Sequence, residues 1–124
     1  MNSESVIKKA IFMHLQKTAG TAMVLPMFNF YGRENSVSHG DHFYQLNEHT
    51  LETKFFENNE LVKKYHSLPF ISGHFGFDFC KQFMANRYSF TFLRNPEERI
   101  LSYYYFCKAR NSDEFYEYSV ARNV

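Results

Sequence analysis

The stretch "HLQKTAGTA", His14 to Ala22, places one lysine inside a small, hydroxyl-rich turn directly after an apolar run. Lys17 supplies a cation, Thr18 and Thr21 supply hydroxyls, and Gly20 leaves backbone N–H groups unobstructed; at a helix N-terminus that combination binds an anion. The order differs from the nucleoside-triphosphate cradle, where the lysine follows the second glycine and the next Ser or Thr holds magnesium. Here Lys17 precedes the turn's only glycine, and no acidic residue at a downstream strand end offers a metal ligand. An ordinary strand-to-helix turn has the same composition, because Gly and Thr are common in such turns.

A second set lies in "RNPEERILS", where Arg94 precedes a helix start and Ser102 follows the Asn95 cap by seven residues, close to two helical turns. A guanidinium with a hydroxyl suits a terminal phosphate. The alternative is that Arg94 pairs with Glu97 or Glu98 in the first turn and Ser102 merely lets helices approach. His74, in "SGHFGF", is the third candidate. Imidazole titrates near neutrality, so a histidine at a cleft edge can take the proton of an attacking hydroxyl, although a lone histidine also serves structure. His39 and His42 in "HGDH" have no third and fourth ligand at suitable spacing and are expected to be loop residues. Cys80 and Cys107 lack zinc-type spacing and are expected to be reduced packing residues, so no metal is expected.

The elements that must position these residues alternate. "KKAIFMHL", Lys8 to Leu15, is an apolar run bounded by polar residues, as in a buried parallel strand. A helix is predicted from about Gly20, disturbed by Pro26 and stopped at Gly32. The polar stretch from Arg33 to Leu68 is predicted to hold a short strand near "NSVSH" and one or two helices, of which only "NNELVKKYHSL", capped by Asn59, has clear helical character. A strand over Phe70–Gly73 precedes an amphipathic helix over "FDFCKQFMAN", with Phe79, Cys80 and Phe83 inward. Arg87 to Leu93 is a strand. A helix from Pro96 to about Ala109 follows, with Asn95 as cap, proline at the first position and Glu97 and Glu98 in the first turn. A last helix is predicted to start at Asn111 or Ser112. Such alternation implies a mostly parallel sheet with ligands at the carboxyl ends of its strands, which gathers Lys17, His74 and Arg94 at one edge.

A chain of 124 residues is one domain, and 14 basic against 13 acidic residues leave a charge of +1, which argues against a broad nucleic-acid footprint. Fifteen Phe and nine Tyr supply a large core or a sticky groove. No apolar span is long enough for a membrane helix or signal peptide, so no membrane partner and a cytoplasmic location are the expectations.

Taken together, these residues carry a family resemblance. "HLQKTAGTA" resembles the "H-x-P-K-T-x-G-T-S" loop of sulfotransferases that use 3′-phosphoadenosine-5′-phosphosulfate (PAPS). "FLRNPEERILSYYYF" resembles their "R-[DN]-P-x-x-R-x-x-S-x-Y-Y-F" segment, and "SGHFGF" resembles the "G-H" segment of the carbohydrate 2-O-sulfotransferase branch, the heparan sulfate and uronyl type. The resemblance covers about Lys8 to Ala109 and implies an α/β fold: a three-layer, P-loop-like parallel sheet flanked by helices, incomplete relative to the family's full domain. It implies that Lys17, Thr18, Ala19, Gly20 and Thr21 hold the 5′-phosphosulfate, with Lys17 stabilising the leaving phosphate, and that Arg94 and Ser102 grip the 3′-phosphate. His74 becomes the general base for a hydroxyl-bearing acceptor of carbohydrate type, and no metal is needed. Gln16 and Ala22 depart from the first motif, and Ser72 stands where some 2-O-sulfotransferases carry another His. Two other readings are a catalytically inactive remnant serving as a nucleotide-binding or interaction module, and a magnesium-dependent kinase. The acceptor is not specified, although Lys63, Lys64 and Lys81 could make a local cationic groove. A homo-oligomer is an open expectation.

Overall fold

The computed structural model describes residues 7–38, 41, 55–112 and 115–123. Four parallel strands form one sheet in the order β2-β3-β1-β4, with β1 at Ala10–Met13, β2 at Ser36–Val37, β3 at Phe70–Gly73 and β4 at Tyr88–Thr91. Central β1 pairs with β3 from Ala10↔Phe70 to Met13↔Gly73 and with β4 from Ala10↔Tyr88 to Met13↔Thr91. The three carboxyl ends that matter are therefore level with one another. Thr91 Oγ1 fastens two of them by donating to the Met13 carbonyl at 2.6 Å.

Alternate residues of each strand face opposite sides of the sheet, so one apolar run feeds two core layers. Ala10, Phe12 and Phe70 pack with Val24 and the half-buried Met23, Met27, Phe28 and Tyr31 of α1, the helix Thr21–Tyr31. Ile11 and Ile71 pack on the other face with Phe55, Tyr65, Phe79 and Phe83. That second layer comes from Phe55, ahead of α2 (Asn59–Ser67), and from α2, α3 (Phe77–Cys80) and the 3-10 turn Lys81–Phe83. Helices on both faces of a parallel sheet give the expected three-layer α/β arrangement.

Arg87 closes the second layer. Its buried guanidinium donates to the carbonyls of Leu68 at 2.6 Å, Tyr65 at 2.8 Å and His66 at 3.1 Å, satisfying the orphan acceptors where α2 ends. Burial pushes the Cys80 thiol up to about 12 from 9.0, so it is a neutral packing group in the core. Cys107 is also buried, and both cysteines are reduced.

Several boundaries differ from those read in the sequence. Asn58, not Asn59, caps α2, its side chain accepting from the Leu61 N–H at 3.1 Å. The helix expected over residues 77–86 stops at Cys80 and tightens into the 3-10 turn, and the chain then reverses with Asn86 at φ 60°. Phe79, Cys80 and Phe83 still point inward. α1 runs through Pro26, whose ring lies on the exposed side, and ends where the Gly32 N–H returns to the Phe28 carbonyl. α4 spans Pro96–Lys108 as expected, and the last helix, α5, spans Tyr116–Arg122 rather than starting at Asn111 or Ser112. α5 packs on α4, with the Phe106 and Tyr118 rings 6.0 Å apart. His39 and His42 lie outside the described residues. Among the described residues no helix is long and apolar enough to cross a membrane, and no three His, Cys, Asp or Glu side chains gather as a metal site.

Candidate active site

The loop leaving β1 has an unusual backbone. Lys17 and Ala19 both adopt left-handed φ, at 62° and 63°, while Gly20 is right-handed at −64°. Each non-glycine residue in that region costs about 1–3 kcal/mol, and alternating handedness turns successive N–H groups toward one point. The N–H groups of Ala19, Gly20 and Thr21 have no hydrogen-bond partner among the described residues. They open onto the N-terminus of α1, which has no side-chain cap and no acidic residue in its first turn. Unpaired N–H groups at an uncapped helix N-terminus are the kind of donor set that can accommodate an anion.

Gly20 is required by proximity rather than by φ. A Cβ there would lie 2.3 Å from the His14 ring and 2.9 Å from Phe12. The Thr18 hydroxyl turns inward and donates to the Leu15 carbonyl at 2.7 Å, so it braces the loop, while Thr21 is exposed. Gln16 and Lys17 are braced from outside: Arg99 Nε donates to the Gln16 carbonyl at 2.9 Å and Arg94 Nη1 to the Lys17 carbonyl at 3.3 Å. Both arginines belong to the segment that enters and forms α4, whose start is fixed by Asn95 accepting from the N–H groups of Glu97 at 3.0 Å and Glu98 at 3.2 Å.

A cleft of about 680 Å³ opens where this helix meets the loop, lined by Lys17, Arg94, Glu98, Ser102, Tyr105 and Phe106 together with Leu101. Three residues singled out in the sequence therefore share one cavity across a separation that no local pattern encodes. The Lys17 ammonium rests 4.7 Å from the centre of the Phe106 ring, and Arg110 stacks on the same ring at 4.0 Å. Arg94 Nε is 3.7 Å from Glu98 Oε2, so the pairing weighed as an alternative is present, as an exposed contact worth at most about 1 kcal/mol.

His74 is placed differently. It follows β3 on the other side of the loop and is not among the residues lining the cleft. Its Nδ1 lies 2.7 Å from the His14 carbonyl, which can only accept, so Nδ1 is the donor, and the tautomer compatible with this bond has its lone pair on Nε2. The buried His14 ring lies beneath it, 4.6 Å between centroids, and stacks on Phe12. Ser72 is fully buried on the α1 side of the sheet, and its hydroxyl has no hydrogen-bond partner among the described residues, so position 72 does not open to the cleft. Of the lysines considered for a cationic groove, Lys81 is paired with Asp78 at 2.8 Å.

Sequence reasoning did not single out Arg99, His14 or Phe106 as parts of the site. All three fall within the quoted motifs, Arg99 at the second arginine of the "R-[DN]-P-x-x-R-x-x-S" pattern, but what they touch depends on the tertiary fold.

No curated protein and no solved structure matches the chain. A model of the sulfotransferase family matches residues 7–124. That match runs from the residues leading into β1 through α5, taking in the Lys17 loop, His74 and the Arg94–Ser102 segment, and the chain belongs to the sulfotransferase family.

Proposed function

We propose that the chain transfers the sulfuryl group of PAPS to a hydroxyl of a carbohydrate-type acceptor. The observation that carries this reading is the meeting of Lys17, Arg94 and Ser102 on one cleft, with the N–H groups of Ala19, Gly20 and Thr21, in the loop that bears Lys17, unpaired among the described residues. The donor set fits the group: an ammonium and a helix N-terminus for one anionic end, a guanidinium and a hydroxyl for the other. Bound PAPS supplies the sulfuryl group and a phosphate leaving group. In this reading the N–H groups of Ala19, Gly20 and Thr21 hold the 5′-phosphosulfate and Lys17 neutralises charge growing on the leaving oxygen. Arg94 and Ser102 hold the 3′-phosphate.

His74 accepts the acceptor's proton at Nε2, the atom that its bond to the His14 carbonyl leaves with the lone pair. Since His74 stands on the β3 side and the cleft on the β4 side, donor and acceptor approach Lys17 from opposite sides, as in-line transfer requires. A labelled-sulfate transfer assay from PAPS across glycans and small hydroxyl compounds tests the assignment. Product with a carbohydrate hydroxyl, lost in His74→Ala, is expected. Transfer that survives His74→Ala refutes the base, and absence of product with every acceptor refutes the activity.

A further inference from the structure

The loop that carries Lys17 stores strain at two non-glycine residues, and strain of that kind persists only where neighbouring structure holds it. Three bonds to its carbonyls do so. Thr18 Oγ1 reaches Leu15 from within the loop, whereas Arg94 and Arg99 reach Lys17 and Gln16 from the far segment. The carbonyls of Gln16 and Lys17 are thus drawn toward α4, while the N–H groups of Ala19, Gly20 and Thr21 have no partner among the described residues. Arg94 also lines the donor cleft, but Arg99 does not; its half-buried side chain is spent on a backbone bond spanning 83 residues.

We propose that Arg99 is a positioning residue: it holds the Lys17 loop in its anion-binding shape and thereby ties the 5′ end of the donor site to the helix that carries the 3′ end. This rests on the donor reading given above. Because Arg99 touches the loop and not the cleft, its removal must weaken the grip on the 5′ end while sparing the 3′ end. A charged donor to a carbonyl is among the stronger single hydrogen bonds, so the expected loss is about tenfold in affinity.

The test measures competition of adenosine 5′-monophosphate and adenosine 3′-monophosphate for the site in wild type, Arg99→Met and Arg99→Lys, with thermal melting to verify folding. The expected result is that both variants weaken the 5′-monophosphate about tenfold and leave the 3′-monophosphate unchanged, since lysine keeps the charge but not the Nε donor. Equal losses for both nucleotides, a loss confined to the 3′-monophosphate, or a wild-type Arg99→Lys would overturn the positioning role. If Arg99→Met does not fold, Arg99→Lys carries the comparison alone. Lys17→Ala separates the two levels: if it spares the 5′-monophosphate, the donor reading itself fails, whereas a loss there with unselective Arg99 variants sinks only the positioning role.

Discussion

At the residue scale, the proposed chemistry falls to some side chains while others are engaged in holding the backbone. The proposal rests on Lys17 and His74, whereas Thr18 and Arg99 bond to loop carbonyls. Lys17→Ala is expected to lower turnover by about two to three orders of magnitude, the usual effect of removing one oriented charge from a developing oxyanion, and His74→Ala by about two to four orders. Steady-state sulfation rates with folded variants check both, and near-wild-type turnover in either contradicts its role. The Cys80 thiol gives a prediction independent of the chemistry. Its folded value of about 12 lies above its ordinary 9.0, so the unfolded chain loses the proton first and stability falls as pH rises from about 9 toward 12. At pH 8 the thiol is neutral and buried, and intact-mass measurement after alkylation is expected to show Cys80 unmodified until the chain unfolds. Residue types alone made Lys17, Arg94, Ser102 and His74 candidates, and the family resemblance gave them roles. Residue types could not announce that Thr18 spends its hydroxyl on Leu15, because a turn of that composition presents threonine inward or outward with equal ease.

At the element scale, α4 has two tasks: it supplies the cleft wall, and its first turn orients Arg94 toward the loop. Asn95→Ala is expected to cost about 1 kcal/mol, the ordinary worth of an N-cap, and to lower the melting temperature by a few degrees. The same variant is expected to weaken adenosine 3′,5′-bisphosphate binding, because the backbone beside Arg94 frays with the cap. Calorimetry that finds lower stability with unchanged affinity would show that Arg94 is positioned some other way. α4 was readable within one residue because cap, proline and acidic turn coincide at Asn95 to Glu98. The Asn58–Asn59 pair shows the opposite case, since two adjacent asparagines cap equally well by type and only the Leu61 bond decides. The truncation of α3 was also hidden. Phe79 and Phe83 reach the core from one helix or from a helix followed by a 3-10 turn, so periodicity does not tell them apart.

At the scale of the whole molecule, the parallel sheet turns three distant stretches into one site. Registering β3 and β4 on either side of β1 brings the loop after Met13, His74 after Gly73 and Arg94 after β4 to a common edge. Alternating elements made that edge legible, since a parallel sheet leaves ligands nowhere else. The separation of His74 from the cleft at Lys17, Arg94 and Ser102 was not legible; it follows from the strand order, which sets β3 and β4 on opposite sides of β1. Likewise the bracing of Gln16 by Arg99 is a contact that sequence distance conceals. The central claim is that one cleft reads both phosphate-bearing ends of the donor. Isothermal titration of the wild-type chain with adenosine 3′,5′-bisphosphate, set against adenosine 5′-monophosphate, tests it most directly. The account predicts binding of the bisphosphate at least about tenfold tighter than the monophosphate, as a charged hydrogen-bonded phosphate contact implies, with the difference abolished in Arg94→Met. Equal affinity for the two nucleotides, or no binding of either, would contradict it.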